Sequence, residues 1–313
     1  MTVDVPDAVR RKALAQGSDG ARWLHELDDL IASVEADWSL TVGPALAGGS
    51  GGFVARALAG DGNVVVLKMA IPDGLDGQGP FASELHTLLL GQGAGYVRVI
   101  RHNEVRRAML LEQLGRPLSE LGFAVESQIA IIAETLRSGW RAVPEGHPLM
   151  YGNDKAAWLG RFISDTWTEL GRPCPEPTVQ QALRYADARY EAFDAEQAVL
   201  VHGDAHPTNV LQDPGSGRFK LIDPEGMVSE PGHDLAIPLR GWNAELAVDD
   251  ATEQALEWCT LLAELGGADP RVVWQWAFVE RVSTGLFLMQ LGHTSEGREF
   301  LDVAARLTGS ASP

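Results

Sequence analysis

Apolar residues return at intervals of three and four between positions 20 and 38. Trp23, Leu24, Leu27, Leu30, Ile31 and Val34 share one face there, and the spacing predicts an amphipathic helix. The period then shortens. Segments 40–46 and 53–58 predict strands on either side of Gly48-Gly49-Ser50-Gly51-Gly52, and Asp61-Gly62 is a hairpin turn pair. Segment 64–69 predicts a third strand, β-branched and apolar, with Lys68 inside it. A helix over 80–91 and strands over 97–100 and 108–111 complete a strand-rich first third.

From Pro117 the pattern turns helical. Helices are predicted over 123–137, 178–193, 251–265 and 271–290. Asp269-Pro270 is a start signal for the last, an N-cap followed by proline at the first helical position. Between these blocks lies one short β-like stretch, 199–223, dense in polar residues. The chain thus reads as two lobes joined near Leu114-Gly115-Arg116-Pro117, one over 1–113 and one over 114–313.

Composition narrows the function. Of 313 residues, 25 are Lys or Arg and 43 are Asp or Glu, a net charge of −18. Such a balance argues against a sequence-independent nucleic-acid binder, which needs cations to displace counterions from phosphates, and against an anionic membrane surface. A small cationic partner suits it. The opening residues, with Asp4, Pro6 and Asp7, lack the apolar core of a signal peptide. The longest apolar run, 129–133, is far short of the roughly 18 residues a membrane helix needs. A cytoplasmic location is expected. Cys174 and Cys259 are too few and too far apart to indicate a disulfide framework or a zinc ribbon.

The chemistry concentrates in His202-Gly203-Asp204-Ala205-His206-Pro207-Thr208-Asn209, followed fourteen residues after Asn209 by Asp223-Pro224. Asp204 precedes Asn209 by five residues, the interval of a kinase catalytic loop. There one aspartate orients an acceptor hydroxyl and takes its proton, while the asparagine and a later aspartate hold Mg²⁺ on the nucleotide phosphates. Hard oxygen ligands such as Asn209 and Asp223 suit Mg²⁺ better than zinc. His-x-Asp-x-His could also serve a transition-metal hydrolase, although His233 lies 27 residues beyond His206.

Together with Pro231-Gly232-His233-Asp234-Leu235-Ala236, these motifs resemble the aminoglycoside phosphotransferases, and within them the streptomycin and hydroxyurea kinase branch. The resemblance covers most of the chain and is most specific over 200–236. Ala205 and Thr208 depart from the usual Leu and Gly, which bears on loop shape. The family implies an α+β, protein-kinase-like fold with a five-stranded antiparallel N-lobe after a helical extension, and a mostly helical C-lobe carrying the catalytic and metal loops and the acceptor site. It implies ATP and Mg²⁺ between the lobes, with Asp204 catalytic and Asn209 and Asp223 on the metal. Lys68 would bind the α/β-phosphates with Glu84, sixteen residues later, as its ion-pair partner. Gly49, Ser50 and Gly51 would approach the phosphates, the linker Glu112-Gln113 would meet adenine, and Asp234 would steady the catalytic loop. The implied acceptor is a hydroxyl of streptomycin, or hydroxyurea. Glu225, Glu230 and Glu280 are candidates for holding guanidinium groups. A metabolite kinase of the same fold and a non-catalytic nucleotide-binding module are the alternatives.

Overall fold

The structure, a computed structural model, describes residues 3–46, 51–72, 79–247 and 250–309. It divides into two compact units, Met1–Gly115 and Arg116–Pro313.

In the first unit, helices α1 (Asp7–Ala15) and α2 (Ser18–Trp38) precede strands β1 (Leu40–Ala45), β2 (Gly52–Ala59) and β3 (Val64–Ala70). Helix α3 (Pro80–Gly91) and strands β4 (Val99–Asn103) and β5 (Ala108–Glu112) follow. The five strands form one antiparallel sheet in the order β1-β2-β3-β5-β4. Alternation decides its faces. Phe53, Ala55 and Ala57 of β2 and Val65, Leu67 and Met69 of β3 are buried with Trp23, Leu27, Ile31 and Val34 of α2 and Val9 and Ala13 of α1. Lys68, one residue out of phase with Leu67 and Met69, therefore falls on the opposite face of the central strand. Gly52 is where β2 must begin as glycine, since a Cβ there would lie 2.3 Å from the Met69 carbonyl oxygen.

The second unit is mostly helical. Helices α4 (Val125–Gly139), α5 (Gly152–Glu169) and α6 (Glu176–Glu191) lead into it. Helices α7 (Pro231–Arg240), α8 (Ala251–Gly266), α9 (Pro270–Gln290) and α10 (Thr294–Leu307) close it. Short strands sit between the two blocks. β7 (Val199–Val201) pairs antiparallel with β10 (Met227–Ser229), which pairs parallel with β6 (Met150–Tyr151). β8 (Val210–Gln212) and β9 (Phe219–Leu221) form a hairpin. Among the described residues no helix is long and apolar enough to cross a membrane.

Two sequence expectations shift. The strand expected over 97–100 is β4 at Val99–Asn103. Val97 is buried just ahead of it, while β4 is an edge strand that tolerates exposed Arg101 and His102. Helices α1, α5, α7 and α10 and strands β6 and β10 were not anticipated. In α7 every residue from Gly232 to Leu239 is buried, so no polar face marks a helical period.

Candidate active site

In the first unit Lys68 and Glu84 meet. The Lys68 ammonium donates to Glu84 Oε1 at 2.5 Å, and both side chains are buried. Lys68 lies opposite Val54 on β2 and Met109 on β5, so it is central to the sheet rather than a solvated edge residue. Glu84 reaches it from α3. At the end of β5, Glu112 Oε1 accepts from the backbone N–H of Arg98 at 2.8 Å, and Gln113 turns its amide onto the Leu114 carbonyl. Gly51 is exposed and its carbonyl accepts from Ile71 N–H at 3.4 Å. Gly49 and Ser50 lie outside the described residues.

In the second unit the loop after β7 folds onto itself. The Asn209 amide nitrogen donates to the Asp204 carbonyl at 3.0 Å and approaches Asp204 Oδ2 at 3.4 Å. The Asn209 carbonyl accepts from Ile222 N–H at 2.9 Å, which ties this loop to the residue before Asp223. His202 spans the same gap. Its Nδ1 accepts from Asp204 N–H at 3.0 Å, so Nε2 is the donor to the Ile222 carbonyl at 2.8 Å. Burial pushes the His202 pKa down, outweighing Asp234 and Asp204, which favours the neutral ring this bonding requires.

Asp234, fully buried at the start of α7, holds the loop from behind. Its carboxylate accepts from Gly203 N–H (2.8 Å), His202 N–H (2.9 Å) and Trp140 Nε1 (2.9 Å). Gly203 has φ +82°, and a Cβ there would lie 2.9 Å from Met227 Cε and 3.2 Å from Glu225 Cβ. Only glycine suits that place.

Asp204 itself is gripped by Arg240 from the last turn of α7. Burial alone would raise the Asp204 carboxyl, but the Arg240 charge, with His206 and His202, holds it well below the usual carboxylate range. The aspartate is therefore ionised at any physiological pH. Arg240 was not singled out in the sequence. The one available signal is that it is the only Lys or Arg between Gly226 and Gly241, closing an apolar run.

Three carboxylates were candidates for a cationic acceptor. Glu280 is 3% exposed and faces Arg240 and His233, each at 3.2 Å. Glu230 accepts from Trp276 Nε1 at 2.7 Å and lies 3.3 Å from Arg189. Both are engaged internally. Glu225 keeps a half-exposed carboxylate, shared at 2.8 Å with Lys155 of α5, whose ammonium lies 5.4 Å from the Trp158 ring centroid.

The donors fit a hard cation. With the Asn209 nitrogen spent on Asp204, its Oδ1 remains as acceptor, and Asp223 presents an exposed carboxylate from a left-handed position, φ 55°. Among the described residues no group of three or more His, Cys, Asp or Glu is placed to hold a metal. Two oxygen donors suit Mg²⁺, which keeps waters and phosphate oxygens as its remaining ligands.

The sequence pattern of the aminoglycoside/hydroxyurea antibiotic resistance kinases matches residues 37–292. The streptomycin 6-kinase of Streptomyces griseus is 25% identical, over 97% of this chain and 97% of its own length. A Streptomyces rimosus aminoglycoside phosphotransferase, solved with ADP and streptomycin, superposes with a TM-score of 0.54 at 18% identity. That match covers 82% of this chain and 98% of the other. A choline kinase from Streptococcus pneumoniae superposes with a TM-score of 0.61 at 14% identity, over 92% and 100% of the two chains. The fold is that of these kinases, an antiparallel N-terminal sheet with a helical C-terminal region.

Proposed function

Because the chain belongs to the aminoglycoside/hydroxyurea antibiotic resistance kinase family, and is a phosphotransferase with an alcohol group as acceptor, we propose that it transfers the γ-phosphoryl group of Mg-ATP to a hydroxyl of streptomycin. The observation that carries this reading is the ionised Asp204 carboxylate, held by Arg240 on a loop that Asn209 closes. A carboxylate with so low a pKa is a weak base. That suits phosphoryl transfer, whose loose transition state asks for a well-placed nucleophile more than a strong base. Asp204 would orient the acceptor hydroxyl and take its proton as the oxygen bonds to phosphorus and the bond to the departing ADP oxygen breaks.

Lys68 would bind the α/β-phosphates, its ammonium aimed by Glu84, and Gly49, Ser50 and Gly51 would bring backbone N–H groups toward them. The linker Glu112-Gln113 would meet adenine. Asn209 and Asp223 would hold Mg²⁺, which supplies neutralisation of the developing phosphate charge when bound. Glu225, half-exposed beside Gly203 and the catalytic loop, is suited to a guanidinium group of the acceptor. The Streptomyces griseus streptomycin 6-kinase supports that choice of acceptor. Hydroxyurea, named with the family, is the second compound to try. A cytoplasmic site of action, with no nucleic-acid or membrane partner, accords with the net charge of −18.

The test is coupled detection of ADP release from Mg-ATP with streptomycin, with hydroxyurea and with neither. Streptomycin-dependent release is expected. Release that neither compound stimulates would overturn the acceptor assignment.

A further inference from the structure

Helix α9 carries two consecutive buried charges that neither bind nor react in the scheme above. Glu280 is 3% exposed and Arg281 2%. Neighbours on an α-helix point roughly 100° apart, so the two leave α9 in different directions. Both nevertheless arrive at the same place. Glu280 Oε2 accepts from Arg240 Nη1 at 3.2 Å, while Arg240 Nη2 holds Asp204. The other Glu280 oxygen, Oε1, lies 3.2 Å from Nε2 of the fully buried His233.

Arg281 takes the backbone instead. Its Nη2 donates to the carbonyls of Leu239 (2.5 Å) and Gly241 (3.2 Å), the residues on either side of Arg240, and its Nη1 donates to the Asn243 side chain. The gripped segment includes Trp242 in a left-handed conformation, φ 45°, which is costly for a bulky residue and persists only where its surroundings impose it. All these Arg281 partners are neutral oxygens. A buried guanidinium so placed is a poor way to fill space, since an apolar side chain of similar volume avoids the desolvation cost. Its five fixed donors are instead a good way to span adjacent carbonyls.

We propose that Glu280 and Arg281 are positioning residues of the reaction: one fixes the guanidinium of Arg240 and the other its backbone, so that Arg240 meets Asp204 in one geometry. The inference rests on the reading of Asp204 as the group that receives the acceptor proton. It also gives Glu280 a role other than acceptor binding.

The variants that test it are Glu280→Gln, which keeps the volume and removes the charge, and Arg281→Lys, which keeps the charge but cannot span two carbonyls. Each is expected to lower kcat roughly 10- to 100-fold, the equivalent of one charged hydrogen bond, with KM for Mg-ATP within about threefold of the parent. A merely structural residue would lower stability without coupling to Arg240. Each change is therefore repeated in an Arg240→Met background, where no further loss of kcat is expected because the residue acted through that guanidinium. Crystal structures of the single variants should show Arg240 displaced from Asp204. Losses in kcat that multiply in the Arg240→Met background would overturn the proposal, as would an intact Arg240–Asp204 contact in both variants. If Glu280→Gln does not fold, Arg281→Lys carries both measurements. If the parent protein turns over neither streptomycin nor hydroxyurea, the acceptor reading falls. The clamp is then decided by the Arg240 position in the crystals.

Discussion

Asp204, half-buried, and Glu280, fully buried, are both carboxylates held ionised, and each owes its charge to a cation the sequence does not advertise. Burial works against the Glu280 carboxylate, but Lys155, His233 and Arg240 pull its pKa from the ordinary 4.5 down to about 2. A carboxyl whose folded pKa is depressed contributes stability that is complete above its unfolded value and lost as pH falls through the folded one. For Glu280 that window runs from 4.5 down to about 2. Acid unfolding followed by circular dichroism should therefore be less steep over that window in Glu280→Gln than in the parent, and equal slopes would contradict the assignment. Lys68 and Glu84 follow only from the family resemblance, while Asp204, Asn209 and Asp223 could be picked out because motif spacing marks them in the sequence. Arg240 and Lys155 could not, because a lone basic residue carries no sign of the direction it faces in the fold. The internal engagement of Glu230 and Glu280 was illegible for the same reason, since their partners come from other helices.

Elements were legible where one face of a helix or strand stays wet. The alternation of β2 and the three-four spacing of α2 survive in the sequence because each buries one side only, whereas β3, buried on both faces over its second half, is marked by its β-branched apolar run. Helix α7, buried all round and containing Pro238, leaves no such trace although it supplies both Asp234 and Arg240. The Asp269-Pro270 signal did mark a helix start: Asp269 Oδ1 accepts from Arg271 N–H at 2.8 Å at the head of α9. Asp269→Ala should cost about 1 kcal/mol of stability in urea unfolding and leave kcat unchanged, because the cap lies three turns from Glu280. The loop glycine behaves oppositely. Gly203→Ala forces a side chain into a left-handed backbone against Met227 and Glu225. A destabilisation of about 1–3 kcal/mol is expected, together with a fall in kcat, because Gly203 adjoins Asp204. A Gly203→Ala enzyme with parental melting temperature and turnover would show that the loop does not need this conformation.

At the scale of the whole molecule, the succession of helix, three strands, helix, two strands and then helices, read from period alone, describes a strand-rich lobe followed by a helical one, and the kinase-like α+β fold is what the family resemblance adds to it. The family match across residues 37–292 and the structural neighbours agree with it. The charge of −18 and the half-exposed Glu225 suit a cationic acceptor, and Glu225→Gln should raise KM for streptomycin about tenfold or more, a charged hydrogen bond's worth, with KM for Mg-ATP unchanged. The central claim is that one carboxylate on the loop after β7 directs phosphate to a hydroxyl. Its most direct test is the transfer of labelled γ-phosphate to streptomycin by the parent protein and by Asp204→Ala, beside calorimetric titration of both with Mg-ATP. Loss of labelled product in Asp204→Ala, at a Kd for Mg-ATP within about threefold of the parent, is the predicted result, since the side chain contributes to the transition state rather than to nucleotide binding. Product formed by Asp204→Ala at the parental rate would contradict the account.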